Sequence, residues 1–104
     1  IKVKGMAHIT GGGISGNLPR IFPEGVSAVI NERSWAPPPI FHLIKEMGKV
    51  PLDDMRMTFN MGIGYIIAIP EAESKNAISI LNAAGVDSFV IGNIEKGGHG
   101  VRYA

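Results

Sequence analysis

Strands that alternate with helices predict an α/β (α+β) fold: a mixed β-sheet of four to five strands with two long helices and one or two short ones packed on it. Three observations carry that expectation. Residues 1–9 alternate apolar and polar as a half-buried strand does. Residues 40–47 and 71–84 place apolar side chains at helical spacing. An apolar run from Tyr65 to Ile69 stops at Pro70, as a buried strand would. With 104 residues the chain fits one small domain, 1–104, which on folding buries somewhat more than about 60% of the surface its unfolded form exposes.

Each element has its own reason. In the first strand Ile1, Val3, Ala7 and Ile9 share one face, and Lys2, Lys4, Met6 and His8 the other. Glycines follow, and between Gly11 and Phe22 only a short helix fits, because Pro19 is tolerated near a helix start and Pro23 ends it. Val26–Ile30 reads as the second strand. The prolines at 37–39 form a stiff entry to a helix with Ile40, Phe41, Ile44 and Met47 on one face, ending at Gly48. Pro51–Met55 reads as a helical turn with Asp53 and Asp54 at its positive end, leading into a loop at 58–64. After the strand at 65–69, the clearest helix covers Glu71–Ala84, with Ala77, Ile78, Leu81 and Ala84 inward and Gly85 as its cap. Phe89–Ile94 reads as a strand, and Gly97–Gly100 turns into a last short one at Val101–Tyr103.

Composition removes whole classes of function. The sequence has no cysteine, so disulfides, zinc–thiolate sites and thiol nucleophiles are excluded. Ten Lys and Arg against nine Asp and Glu, with no basic run interleaved with aromatics, argue against nucleic acid. The longest apolar stretch, near 63–69, is too short to cross a membrane, and a soluble protein is expected. No H-E-x-x-H and no Ser-His-Asp order is present, so no metal ligand is assigned and the catalytic residues are left unassigned. The chain opens directly on a strand-like Ile1–Ala7 without an initiator methionine, from which it is expected to be cut from a longer protein.

Fourteen glycines are about twice the usual share, and they cluster at 11–16, 62–64 and 97–100. Thr10-Gly11-Gly12-Gly13 lies after a strand and before a short helix, where unpaired N–H groups and the helix dipole favour an anion, and Thr10 adds a hydroxyl. The plain alternative is a tight strand-to-helix corner. Gly11, Gly13 and Gly16 also satisfy G-x-G-x-x-G, with Glu32 where a ribose-binding acid would stand, but Pro19 and Pro23 leave no room for the crossover helix a dinucleotide needs. Asn60-Met61-Gly62-Ile63-Gly64 forms a second glycine loop before a strand, and a shared ligand surface is expected from the pair. Of the three histidines only His8 stands beside the first loop.

The strings Gly5-Met6-Ala7-His8-Ile9-Thr10-Gly11-Gly12-Gly13, Asn17-Leu18-Pro19-Arg20 and Thr58-Phe59-Asn60-Met61-Gly62-Ile63-Gly64 resemble the phosphoribosylformylglycinamidine cyclo-ligase (AIR synthetase) family, over essentially the whole chain. Other landmarks follow in order: Pro23-Glu24-Gly25, Ala28-Val29-Ile30, Ser34-Trp35, Phe41, Met55, Leu81-Asn82 and Ile91-Gly92. The resemblance implies the C-terminal domain of that superfamily, a cytoplasmic homodimeric ligase of purine biosynthesis, or a plastid one in a plant. Its substrate is formylglycinamidine ribonucleotide: ATP activates the formyl amide oxygen, an amidine nitrogen closes the imidazole ring, and ADP and phosphate leave. It further implies that ATP and Mg2+ are bound mainly by an N-terminal domain outside this segment, which is its partner, and that this chain alone is inactive. Residue by residue, Thr10, Gly11, Gly12 and Gly13 are carried over to the substrate phosphate, His8, Asn17 and Arg20 to its neighbourhood, and Asn60, Gly62 and Gly64 to the same cleft.

Two positions depart from the family pattern. Gly16 stands where an acid is usual, and Met57 where an arginine precedes Thr58-Phe59-Asn60; Arg56 is the candidate to compensate. Two other readings stay open. One is a different member of the same ATP-dependent superfamily, such as the amidotransferase-coupled synthetase, selenophosphate synthetase or thiamine-phosphate kinase. The other is a non-catalytic phosphate-binding or dimerisation module.

Overall fold

A computed structural model describes residues 1–104. The expected elements are present in the expected order: β1 (Gly5–His8), α1 (Gly13–Asn17), β2 (Val26–Ile30), α2 (Pro39–Gly48), α3 (Leu52–Thr58), β3 (Tyr65–Ala68), α4 (Ser74–Ala83), β4 (Gly92–Lys96) and β5 (Val101–Tyr103). Short 3₁₀ turns occupy Leu18–Ile21, Glu32–Ser34 and Glu71–Glu73. The α/β class stands, and the five strands divide between two sheets: an antiparallel pair β1–β3, and a three-stranded sheet in the order β4-β2-β5. In the second sheet β2 is antiparallel to β4 and parallel to β5, so it lies between two strands that follow one another in sequence.

That insertion explains the third glycine cluster. The link Gly97–Gly100 must pass over the start of β2 to carry the chain from one side to the other, about two strand spacings of 4.8 Å each. Its backbone is tied to what it crosses: Gly97 N–H donates to Gly25 O (2.6 Å), Ser27 Oγ donates to Gly97 O (2.9 Å), and Ala28 N–H donates to Gly100 O (2.9 Å).

The core lies where the two sheets and α1 meet. Ala7 and Ile9 from the first strand, Ile14 and Leu18 from α1 and the turn after it, Ala28 and Ile30 from β2, Trp35 and Ile63 form one buried cluster. Ala7 pairs with Ile66 and His8 with Tyr65, so one face of β1–β3 points inward and the other to solvent. Met55, fully buried, seats α3.

Several boundaries shift for physical reasons. The first strand begins at Gly5, because Ile1 and Val3 have no neighbour strand and stay exposed. The fourth strand is Gly92–Lys96 in place of 89–94: Phe89 and Val90 are exposed, and pairing starts where Gly92 meets Ile30, the backbone of Val29 lying too close to admit a side chain. Helix α2 closes on Lys49 in the left-handed conformation (φ 50°), one residue past Gly48. Helix α3 runs on to Thr58, into the stretch expected as loop, with Asp53 and Asp54 in its first turn.

Candidate functional site

The glycine corner is built around one buried side chain. Asn17, at the end of α1, is the only polar residue with a buried side chain, and its Nδ2 donates to Gly13 O at 2.8 Å, Thr10 O at 3.2 Å and Gly11 O at 3.3 Å. Its Oδ1 accepts from Thr10 Oγ1 at 3.3 Å. Three carbonyls of the loop are thereby drawn inward. Gly13 N–H closes the turn onto Thr10 O at 3.0 Å, whereas the N–H groups of Gly11 and Gly12 donate to no atom of the protein. A buried amide left unpaired is costly, but an outward one is available to solvent or to an anion.

The glycines differ in what they answer to. Gly12 (φ 100°) and Gly13 (φ 67°) occupy the left-handed region, and a Cβ on Gly13 would lie 1.9 Å from Arg56 O and 2.8 Å from Phe59 O. Gly13 therefore serves the close packing of α1 on the end of α3. Around Gly11 nothing lies within 4 Å of a would-be Cβ and φ is not positive, so no contact inside the chain requires glycine there.

The second loop lies against the first. Ile9 N–H donates to Gly64 O at 2.9 Å, which extends the β1–β3 ladder by one pair, and Asn60 Nδ2 reaches Ile9 O at 3.5 Å. Asn60 Oδ1 accepts from Gly62 N–H at 2.8 Å, and Trp35 Nε1 donates to Met61 O at 3.0 Å, so the loop is held in shape by its own amide and by the indole. Gly62 is packed on Pro38, which leaves it to the proline corner. The structure thus brings together Thr10, Gly11, Gly12, Gly13, Asn60 and Gly64, with His8 one strand position away on the exposed face. It does not bring in Arg20, which is exposed on the 3₁₀ turn and makes no ion pair. Asn17 is placed beneath the loop and not on its surface.

Arg56 is an unforeseen hub. Its guanidinium donates through Nε to Glu32 Oε2 (2.9 Å) and through Nη2 to Glu32 Oε1, and it also pairs with Asp53 (3.0 Å). It stacks 4.4 Å above the Tyr103 ring, whose hydroxyl is 3.3 Å from Ser15 Oγ on α1. The hydrogen bond to Glu32 is the main cause that holds the Arg56 guanidinium above its already high range. Arg56 is therefore committed to the protein's own groups and does not replace the arginine missing at Met57, which is exposed. Glu32, bound in the same pair, is not a free ribose acid, and α1 has only five residues, so the dinucleotide reading fails on both counts. Neither Arg56–Glu32, 24 residues apart, nor Ser15–Tyr103, 88 apart, carries a local sequence signal.

Two hollows of the surface lie away from the glycine corner. One of about 500 Å3 is lined by Val29, Asn31, Arg33, Gly92, Asn93 and Ala104, and one of about 120 Å3 lies between Phe22, Glu24 and His99. The glycine corner is an open ledge. No group of three or more His, Asp or Glu side chains converges in the chain. No helix is long and apolar enough to cross a membrane.

Fold and loops together define an α/β domain that sets two glycine loops side by side at the end of a two-stranded ladder. All of residues 1–104 match the family described as AIR synthase related protein, C-terminal domain, and the chain belongs to that family. Curated relatives agree. The chain is 51% identical over 98 residues to the phosphoribosylformylglycinamidine cyclo-ligase of Thermodesulfovibrio yellowstonii, covering 94% of this chain and 29% of that protein. To the protein of the same name in Myxococcus xanthus it is 50% identical over 97 residues, covering 93% and 28%. To that of Bacillus subtilis it is 46% identical over 96 residues, covering 92% and 28%. The chain thus spans under a third of the length of these relatives.

Proposed function

We propose that this chain is the substrate-phosphate-holding part of an ATP-dependent cyclo-ligase that converts formylglycinamidine ribonucleotide to aminoimidazole ribonucleotide in purine biosynthesis. The observation that carries the reading is the corner at Thr10–Gly13, where the carbonyls of Thr10, Gly11 and Gly13 are turned onto Asn17 while the amides of Gly11 and Gly12 have no acceptor in the protein. A ledge of that kind holds a negatively charged group by fixed N–H dipoles without a lysine or arginine. The names of the relatives supply the reaction, and their identity of about half across the chain supports carrying it over.

In this reading His8, Thr10, Gly11, Gly12, Gly13, Asn60 and Gly64 line the substrate surface and Asn17 acts from below, while Arg20 and Gly62 stand outside it. The ribose phosphate rests on the amides, which fixes one end of the substrate at the corner. When bound, ATP with Mg2+ activates the amide oxygen of the substrate. In this reading ATP and Mg2+ are held mainly by an N-terminal domain of the ligase, and the whole works in the cytoplasm as a homodimer.

Titration of the chain with inorganic phosphate and with ribose 5-phosphate, beside Gly12→Glu, is the direct test. Saturable binding that the glutamate abolishes supports the reading. Equal behaviour of the two chains would leave a non-catalytic module with glycine corners kept for folding. Robust ring closure by the chain alone would overturn its role as a part of a larger site.

A further inference from the structure

The outward face of β1–β3 carries a feature that phosphate binding leaves unused. His8 and Tyr65 are opposed directly across the ladder, their ring centroids 6.2 Å apart and their planes within 28° of parallel. Both are exposed, Tyr65 to 58%, and neither side chain hydrogen-bonds to the protein. Burial alternates along the first strand, with Met6, His8 and Thr10 out and Ala7 and Ile9 in. His8 and Thr10 therefore share a face, about 7 Å apart at the rise of a strand. On the other strand Tyr65 directly follows Gly64, whose carbonyl is bonded to Ile9. The aromatic pair begins where the glycine corner ends.

From this geometry we infer that His8 and Tyr65 form a stacking platform for a flat, conjugated nitrogen group carried by the sugar whose phosphate the corner holds. The inference rests on the phosphate reading above. One ribose ring with its 5′ carbon bridges the step from Thr10 to His8, so a ligand anchored at the corner lays its far end over the rings. Their negative faces attract a planar cation or an electron-poor heterocycle, and an open phenol ring does so without a dedicated pocket. Cross-strand aromatic pairs also strengthen a ladder with no ligand present, so stability alone cannot test the idea, whereas a comparison of ligands can.

The test titrates the chain with ribose 5-phosphate and with formylglycinamidine ribonucleotide, whose protonated amidine is a planar cation. The ribonucleotide is expected to bind about tenfold more tightly, equivalent to about 1.4 kcal/mol. Tyr65→Ala should bring the two affinities together while leaving ribose 5-phosphate unchanged, and Tyr65→Phe should keep the preference. Tyr65→Val, which retains strand preference, takes the place of the alanine variant should that one lose its circular dichroism. A preference that survives Tyr65→Ala, or none in the parent chain, overturns the platform and leaves the phosphate reading standing if Gly12→Glu still abolishes ribose 5-phosphate binding. Loss of the preference in Tyr65→Phe would move it to the hydroxyl and end the stacking claim. No binding of ribose 5-phosphate by the parent would overturn both.

Discussion

Of the three glycines in a row at residues 11–13, the first and the last do different things, and substitution separates them. At Gly13 an alanine meets Arg56 O at 1.9 Å in a left-handed backbone, so Gly13→Ala should destabilise by at least about 2–3 kcal/mol, read as a fall in the denaturant midpoint. At Gly11 a methyl enters open space, and Gly11→Ala should leave stability within about 1 kcal/mol of the parent while weakening phosphate binding. If Gly11→Ala binds phosphate as the parent does, the ledge is not where the anion sits. Asn17 gives the complementary case. Asn17→Ala removes the shared donor of three carbonyls and should cost about 1–3 kcal/mol, with phosphate affinity falling as the loop loses its shape. Asn17→Asp is expected to be worse near neutral pH, since a carboxylate has no N–H and faces three carbonyl oxygens. A melting temperature for Asn17→Asp above that of Asn17→Ala would contradict this.

At the scale of elements, the contacts between helices and sheets explain what could be read in advance. The corner at 10–13 was legible because the signals that define it are local: alternation up to Ile9, glycine at once after it, and prolines that cap the length of any helix. The helices at 39–48 and 74–83 were legible for the same reason. Strand partners were not. That β2 inserts between β4 and β5 depends on a crossing at Gly97–Gly100 that has no periodicity to show it, and the apolar Phe89-Val90 looks like strand until its exposure is known. The inward turn of Asn17 was equally hidden, since the same residue beside a phosphate loop reads as a ligand contact. Arg56 and Glu32 were invisible as a pair because 24 residues separate them. Their side chains are 20% and 28% exposed, enough shielding for a forked pair to count for more than a surface bridge. Arg56→Met with Glu32→Gln in a double-mutant cycle should show a coupling of about 1 kcal/mol that shrinks only partly in high salt. A guanidinium held above its ordinary range gives stability that is complete below that range and lost only as pH rises through it, so this pair's cation contributes no pH dependence between about pH 5 and 9. Zero coupling in the cycle would reduce Arg56 to its packing on Tyr103.

For the whole molecule, size and surface disagree with those of a closed domain. A compact protein of 11.1 kDa has an accessible surface of about 5,650 Å2, while this chain exposes 6953 Å2. Its radius of gyration is 14.1 Å, against about 12.9 Å for a globule of 104 residues. The excess is larger than the roughly 800 Å2 that one partner contributes to an ordinary interface. Much of it is apolar and grouped: Ile40, Leu43 and Met47 along α2, a helix with no fully buried residue, and Val86, Phe89 and Val90 before β4. Such patches bring association, since burying them is favourable at about 25 cal/mol per Å2. The chain by itself should therefore associate at micromolar concentration, and sedimentation velocity should show mass above that of one copy. Leu43→Glu with Met47→Lys should shift it toward the single copy without lowering the melting temperature by more than about 2 °C, because both side chains already stand in solvent. A parent chain that stays monomeric across that range would mean the exposed face of α2 is tolerated as it is. A double variant that unfolds would mean those side chains are buried in solution, in self-contacts the fold described above does not contain.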